Sequence, residues 1–132
     1  MRYPIDTNVF IFALKDTSRQ VAKRLAATPA EEIALCSVVK AELYHGALKY
    51  SAPQRRRDLL DEFLAPYQSL PSDSDCVPHY AAVRHHLEVH GEIIGGNDLM
   101  IAAVALAHDL TLVTHNSAEF GRVPGLRWEN WV

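Results

Sequence analysis

Apolar and polar positions along this chain fall into short blocks whose period changes repeatedly. Tyr3 to Ile5 is an apolar run closed by Asp6, which predicts a first strand. Pro4 inside it removes one ladder donor and predicts a strand left unpaired on that side. Val9 to Leu14 reads as a short apolar helix, and Val21, Ala22, Leu25 and Ala26 recur at helical spacing over 18–28. Ile33 to Cys36 reads as a buried strand. Ser37 is positioned to cap a helix with Val39, Leu43 and Ala47 on one face. Leu59, Leu60, Phe63 and Leu64 supply the next buried stripe, and 67–70 reads as a brief strand. Tyr80, Val83 and Leu87 mark a helix over about 75–90. Asn97 is placed as the cap of a helix that is apolar all round from Leu99 to Ala107, so this helix is expected to be central. Leu110 to Thr114 reads as a strand, and Leu126 to Trp128 as a last one.

Short strands separated by helices imply an α/β fold with a mainly parallel sheet covered on both sides. No repeat, low-complexity tract or linker interrupts the pattern, so 1–132 is expected to be one domain. In such sheets, sites form beyond the carboxyl ends of the strands. Asp6 follows the first strand directly, and Glu42 lies in the helix after the second. Asp98 begins the buried helix, and Asn116 and Glu119 follow the strand ending at Thr114. Each has a structural alternative. Asp6 can cap a helix, Asp98 suits any helix N-terminus, and Asn116 with Glu119 fits a capping box. Glu42 is the most telling, because it sits among Val39, Ala41 and Leu43, where a solvated acid is out of place. Carboxylates packed together repel one another unless a cation lies between them, and hard cations such as Mg²⁺ or Mn²⁺ prefer oxygen donors. No Lys, Ser or Cys has an evident nucleophile partner, so water activated by a metal is the natural attacking group.

Composition narrows the choice. With 13 Lys plus Arg against 16 Asp plus Glu, the net charge of −3 argues against binding nucleic acid through bulk positive charge. It leaves room for a nucleic-acid enzyme, since a metal site uses acids. The longest apolar run, Leu99 to Ala107, is nine residues, too short to span a membrane. Asp6 comes too early for a signal peptide, so a soluble, cytoplasmic protein is expected. Cys36 and Cys76 stand forty apart without a CxxC pair, which excludes zinc knuckles and thioredoxin-type sites.

Four segments, taken in order, resemble a known family: Asp6-Thr7-Asn8-Val9-Phe10-Ile11, Ala41-Glu42-Leu43-Tyr44-His45-Gly46-Ala47, Ile94 to Ala103 around Asn97-Asp98, and Leu112-Val113-Thr114-His115-Asn116 followed by Glu119-Phe120. Each is weak alone, but together they resemble the PIN-domain ribonucleases of the VapC toxin type over essentially the whole chain. The resemblance implies a three-layer α/β/α sandwich and a Mg²⁺-dependent endoribonuclease, with Mn²⁺ able to substitute. It also implies a homodimer, a cognate VapB-type antitoxin and an RNA substrate, tRNA being frequent in the family. Asp6, Glu42 and Asp98 fall on the family's three core acids and would hold the metal. Where many PIN domains carry a fourth Asp, this chain has Asn116, with Glu119 three residues on, so either could complete the site. Thr7, Asn8, Thr114 and Asn116 are expected to support the acids, and Arg84, His115 and Arg122 to contact RNA.

Several features have plainer readings. His86 and His90 stand at a zinc-compatible spacing without a third ligand, and Arg57 with Asp61 fits a surface ion pair. Trp128 and Trp131 are expected to pack rather than to stack on bases. Three other activities compete. A phosphatase using Asp6 as nucleophile usually wants a second acid two residues on, where Asn8 stands. A phospho-receiver domain needs a late lysine, and the last here is Lys49. A catalytically inactive PIN fold kept as an interaction module would not need these acids.

Overall fold

Ile33–Cys36 forms a strand, β2, in which all four residues are buried. Because successive strand residues point to opposite faces, both faces of the sheet at β2 must be covered. The computed structural model describes residues 1–132 and places β2 between two parallel neighbours, β1 (Tyr3–Pro4) and β3 (Gln68–Leu70). A second parallel pair joins β4 (Thr111–Val113) to β5 (Arg127–Glu129). A parallel bridge between Ile5 and Val113 connects the two sets, so the strand order is β3-β2-β1-β4-β5. Helices α1 (Thr7–Leu14), α2 (Arg19–Ala27), α3 (Ser37–Ala47), α4 (Pro53–Leu64), α5 (Val77–Val89), α6 (Gly96–Ala107) and α7 (Ser117–Phe120) connect and cover the strands. The result is the α/β/α sandwich around a parallel sheet.

The strand containing Pro4 differs from the sequence-based expectation. β1 is not left open on one side but is the central strand. Thr111 donates its N–H to the Arg2 carbonyl at 3.0 Å, and Asp6 donates to the Val113 carbonyl at 2.8 Å. The donor that Pro4 lacks falls between these two bonds. The β1–β4 junction is therefore held by a bridge and its flanking bonds rather than by a full ladder.

Three further expectations are corrected. Ser37 is the first residue of α3, whose cap position is Cys36. Gly95, not Asn97, occupies the cap position of α6, and Asn97 lies in its first turn. Leu59 is exposed, while Leu60 and Leu64 carry the buried face of α4. The expected faces of α3 and α5 are present: Val39, Leu43 and Ala47 are buried, as are Val83 and Leu87.

Helix α6 occupies the middle of the core. Leu99, Ile101, Ala102, Ala103, Val104 and Ala105 are all buried. Its buried alanines are small enough for neighbouring elements to approach the helix axis, while Ile101 and Val104 fill volume. Trp131 is buried with its ring edge against Tyr3, at 5.2 Å between centroids, so it packs as expected. Trp128 is partly exposed. Ile101→Ala should remove about 2–5 kcal/mol of stability through the cavity it leaves. Urea unfolding tests this, and a loss below about 1 kcal/mol would contradict the central position of α6.

Candidate active site

Four acids from four segments converge at the carboxyl edge of the sheet. Asp6 comes straight off β1, where it occupies the N-cap of α1. Glu42 projects from α3, Asp98 from the first turn of α6, and Glu119 from α7. Their proximity is electrostatic as well as topological. Asp6 feels the charges of Glu42 and Glu119, and Asp98 feels those of Asp6, Glu119 and Glu42.

The surrounding hydroxyls fix these carboxylates. Asp6 Oδ1 accepts the Thr7 N–H at 2.8 Å, and Asp6 Oδ2 accepts the Thr114 hydroxyl at 2.8 Å. Thr114 is fully buried and its oxygen also accepts the Asn116 N–H at 2.9 Å. The Thr7 hydroxyl donates to Glu42 Oε1 at 2.7 Å. Asn116 Nδ2 donates to Glu119 Oε2 at 3.1 Å, so the amide orients the acid and the acid enters the cluster. Asp98 and Glu119 come close enough to share a proton, a contact that nothing in the sequence spacing announces.

Burial and repulsion work in the same direction here. Desolvation is the main cause that raises the Asp6 pKa, offset in part by the Thr114 and Thr7 bonds that favour its anion. Asp98 is pushed up to about 7, first by desolvation, then by the bond to Glu119 and the nearby carboxylates. Cys36 also lies in range of Asp6, but burial pushes its thiol up to about 12, so it stays protonated and is a poor ligand. The donor set is thus carboxylate and hydroxyl oxygen, without sulfur or imidazole. It fits a hard divalent cation, whose charge would relieve the repulsion that raises Asp98.

The remaining expected residues make no side-chain hydrogen bond to these acids. Asn8 is exposed and makes no side-chain hydrogen bond to the acids. Arg84 is exposed on α5, 3.9 Å from Glu88, and lines a groove with Gly96 and Leu99 beside the start of α6. Arg122 donates to the Ile93 carbonyl at 3.2 Å. The His115 ring packs edge-on against Phe12 and lies 3.2 Å from Asn130. His86 and His90 stack on each other at 4.1 Å, and no third ligand joins them. Arg57 and Asp61 form the exposed pair expected of them.

A parallel α/β/α sheet with carboxylates gathered at its carboxyl edge is the architecture of a PIN domain, and the PIN-domain family matches residues 3–126. The chain is 37% identical to Ribonuclease VapC2 of Rickettsia felis over 132 residues, covering 99% of this chain and 98% of that protein. It is 33% identical to the tRNA(fMet)-specific endonuclease VapC of Shigella flexneri, covering 99% and 98%. Its backbone matches the crystal structure of VapBC2 from Rickettsia felis bound to a promoter DNA fragment, with a TM-score of 0.92, 36% identity and full coverage of both chains. The chain belongs to the VapC family of PIN-domain ribonucleases.

The raised Asp98 pKa has a consequence for stability. A folded pKa above the unfolded value favours the protonated state, so the contribution from Asp98 is full below about pH 4. It is lost as pH rises towards the folded value of about 7. The metal-free protein should therefore lose thermal stability between about pH 4 and pH 7. Asp98→Asn should flatten that slope in a melting series, and an unchanged slope would contradict the assignment.

Proposed function

We propose that this chain is the endoribonuclease toxin of a VapBC-type toxin–antitoxin pair and hydrolyses RNA phosphodiester bonds with a divalent cation held by Asp6, Glu42, Asp98 and Glu119. The observation that carries this reading is the shared carboxylate cluster itself. Four acids are kept together against their own repulsion, and one is raised to about 7. Capping accounts for Asp6 singly, but not for the approach of Glu42, Asp98 and Glu119 to it.

The donor set favours Mg²⁺, with Mn²⁺ as a substitute. The cation supplies charge neutralisation at the phosphate, an activated water and stabilisation of the leaving oxygen. The protein's own groups do the positioning. Thr7 and Thr114 hold both oxygens of Asp6, so its carboxylate cannot rotate. The Thr7 hydroxyl fixes Glu42 relative to Asp6, tying the two strand-end segments together. Asn116 orients Glu119 beside Asp98, whose carboxyl is pushed up to about 7 first by desolvation and then by its neighbours. Attack of water at phosphorus forms a new P–O bond and breaks the bond to the ribose 3′ oxygen. The products are a 3′-hydroxyl and a 5′-phosphate.

Arg84, His115 and Arg122 are the RNA-contacting candidates. Arg84 lines the groove beside the start of α6, Arg122 bonds the Ile93 carbonyl in the segment before that helix, and His115 adjoins Thr114, while the chain otherwise offers little excess positive charge. RNA should therefore bind weakly without the cation. The tRNA(fMet) endonuclease relative makes tRNA the first substrate class to test. A VapB-type antitoxin is the partner in this reading, and a homodimer the assembly. The aspartyl-phosphatase reading has less support, because both Asp6 oxygens are engaged and position 8 holds an exposed Asn8.

Purified chain should cleave a tRNA pool in Mg²⁺ and stop when EDTA is added. Asp6→Asn and Asp98→Asn should each lower the rate by about a hundredfold or more while circular dichroism stays native. Full activity in either folded variant, or in excess EDTA, would refute the proposal.

A further inference from the structure

A second group of metal-ligating side chains lies away from the carboxylates. Asp73, Cys76 and His108 each offer one donor atom, and the three atoms lie within 4.8 Å of one another. Asp73 and Cys76 bracket the 3-10 turn 74–76 that leads into α5, and His108 follows the last residue of α6. Ten residues of helix separate His108 from Asp98, about 15 Å along the axis. The group therefore belongs to the opposite end of α6 from the acid cluster.

Ordinary structural roles account for only part of it. Asp73 caps the turn, with Oδ1 accepting the Asp75 N–H at 3.2 Å, which leaves Oδ2 for another partner. Cys76 is 1% exposed, and its sulfur lies 3.9 Å from the same Oδ1. A buried cysteine alone is commonly just core volume. His108 has no such explanation. Its Nε2 is closed off from solvent and has no hydrogen-bond partner. A buried ring nitrogen in that state carries an uncompensated desolvation cost, and buried polar atoms are nearly always satisfied.

We propose that Asp73, Cys76 and His108 form a second metal site that takes a borderline divalent cation of the Zn²⁺ class. Thiolate, imidazole and carboxylate together match that class and reject Mg²⁺, which avoids sulfur. In a filled tetrahedral site, ligand atoms sit about 3.5 Å apart, so small side-chain rotations close the observed spacing. Burial raises the Cys76 thiol pKa as well, so its proton leaves to solvent only when a cation displaces it, and coordination through Nε2 would give His108 the partner it lacks. Asp73 is exposed, so the fourth position faces water. A bound cation would staple the start of α5 to the end of α6.

On the proposed function the acid cluster takes a divalent cation too, so the test must read the thiolate. Full-length chain is stripped of metal, held in excess Mg²⁺ to fill the acid cluster, and titrated with Co²⁺ as the probe. One equivalent should produce a thiolate-to-cobalt charge-transfer band in the near ultraviolet, and Zn²⁺ should displace it. Cys36→Ser should keep the band. His108→Gln and Cys76→Ser should lose it or weaken Co²⁺ binding by about tenfold or more. Zn²⁺ should raise the melting temperature of the parent chain but not of His108→Gln. If Cys76→Ser fails to fold, His108→Gln at a partly exposed helix end carries the test. Absence of the band in the parent chain, or a band of unchanged affinity in folded His108→Gln, overturns the proposal.

Discussion

Thr114 and Asp6 lie 108 positions apart in sequence, and a 2.8 Å hydrogen bond between their side chains joins the first strand to the fourth. That contact exists only because β1 and β4 run side by side around Pro4, held by bonds on either side of the missing donor. The rest of the site is anchored to it. Thr114 passes the constraint to Asn116, Asn116 to Glu119, and Glu119 to Asp98. From the other side, Thr7 links Asp6 to Glu42. A chain of short polar contacts thus fixes carboxylates that would otherwise separate.

The energy for this arrangement comes from elsewhere in the molecule. Carboxylates raised by burial oppose folding when they ionise, so something must hold them together. The buried strand β2 and the apolar helix α6 do so, since neither can shift without exposing core surface. The site therefore stores repulsion against a rigid frame. A divalent cation would convert that repulsion into affinity, which makes the metal-free state the less stable one at neutral pH. The net charge of −3 gains a local meaning from the same fact. Without the four clustered carboxylates the rest of the chain would carry a net charge of about +1, so part of its acidity belongs to this one edge.

The two ends of α6 carry different chemistry. Its N-terminal turn contributes Asp98 to an all-oxygen cluster, whereas its C-terminal end brings His108 to a thiol. Hard and borderline cations are sorted by such donor sets rather than by affinity alone. One rigid helix can thus serve two sites without either competing for the other's ion.

Much of this was readable from the residues. Blocks of apolar periodicity marked most of the elements, because burial on a covered sheet leaves few other patterns open. Glu42 stood out among apolar neighbours, and the order of the acids at strand ends pointed to one edge. Local capping was read less well. Gly95 and Cys36 hold the cap positions expected for Asn97 and Ser37, because helix ends are set by tertiary packing as much as by side-chain preference. Pro4 suggested an open edge, yet strand order is a long-range property that flanking hydrogen bonds can enforce around one missing donor. Whether Asn116 or Glu119 joins the acids depended on a side-chain direction that spacing does not encode. The approach of His108 to Cys76 across 32 positions left no local trace, since only the packing of α6 against the turn before α5 brings them together. Sequence alone determined the fold class, the family and which acids stand at the ends of strands and the starts of helices. Tertiary structure decided which strand is central, how the carboxylates are held, and what meets at the far end of α6, because each of those depends on contacts between segments far apart in the chain.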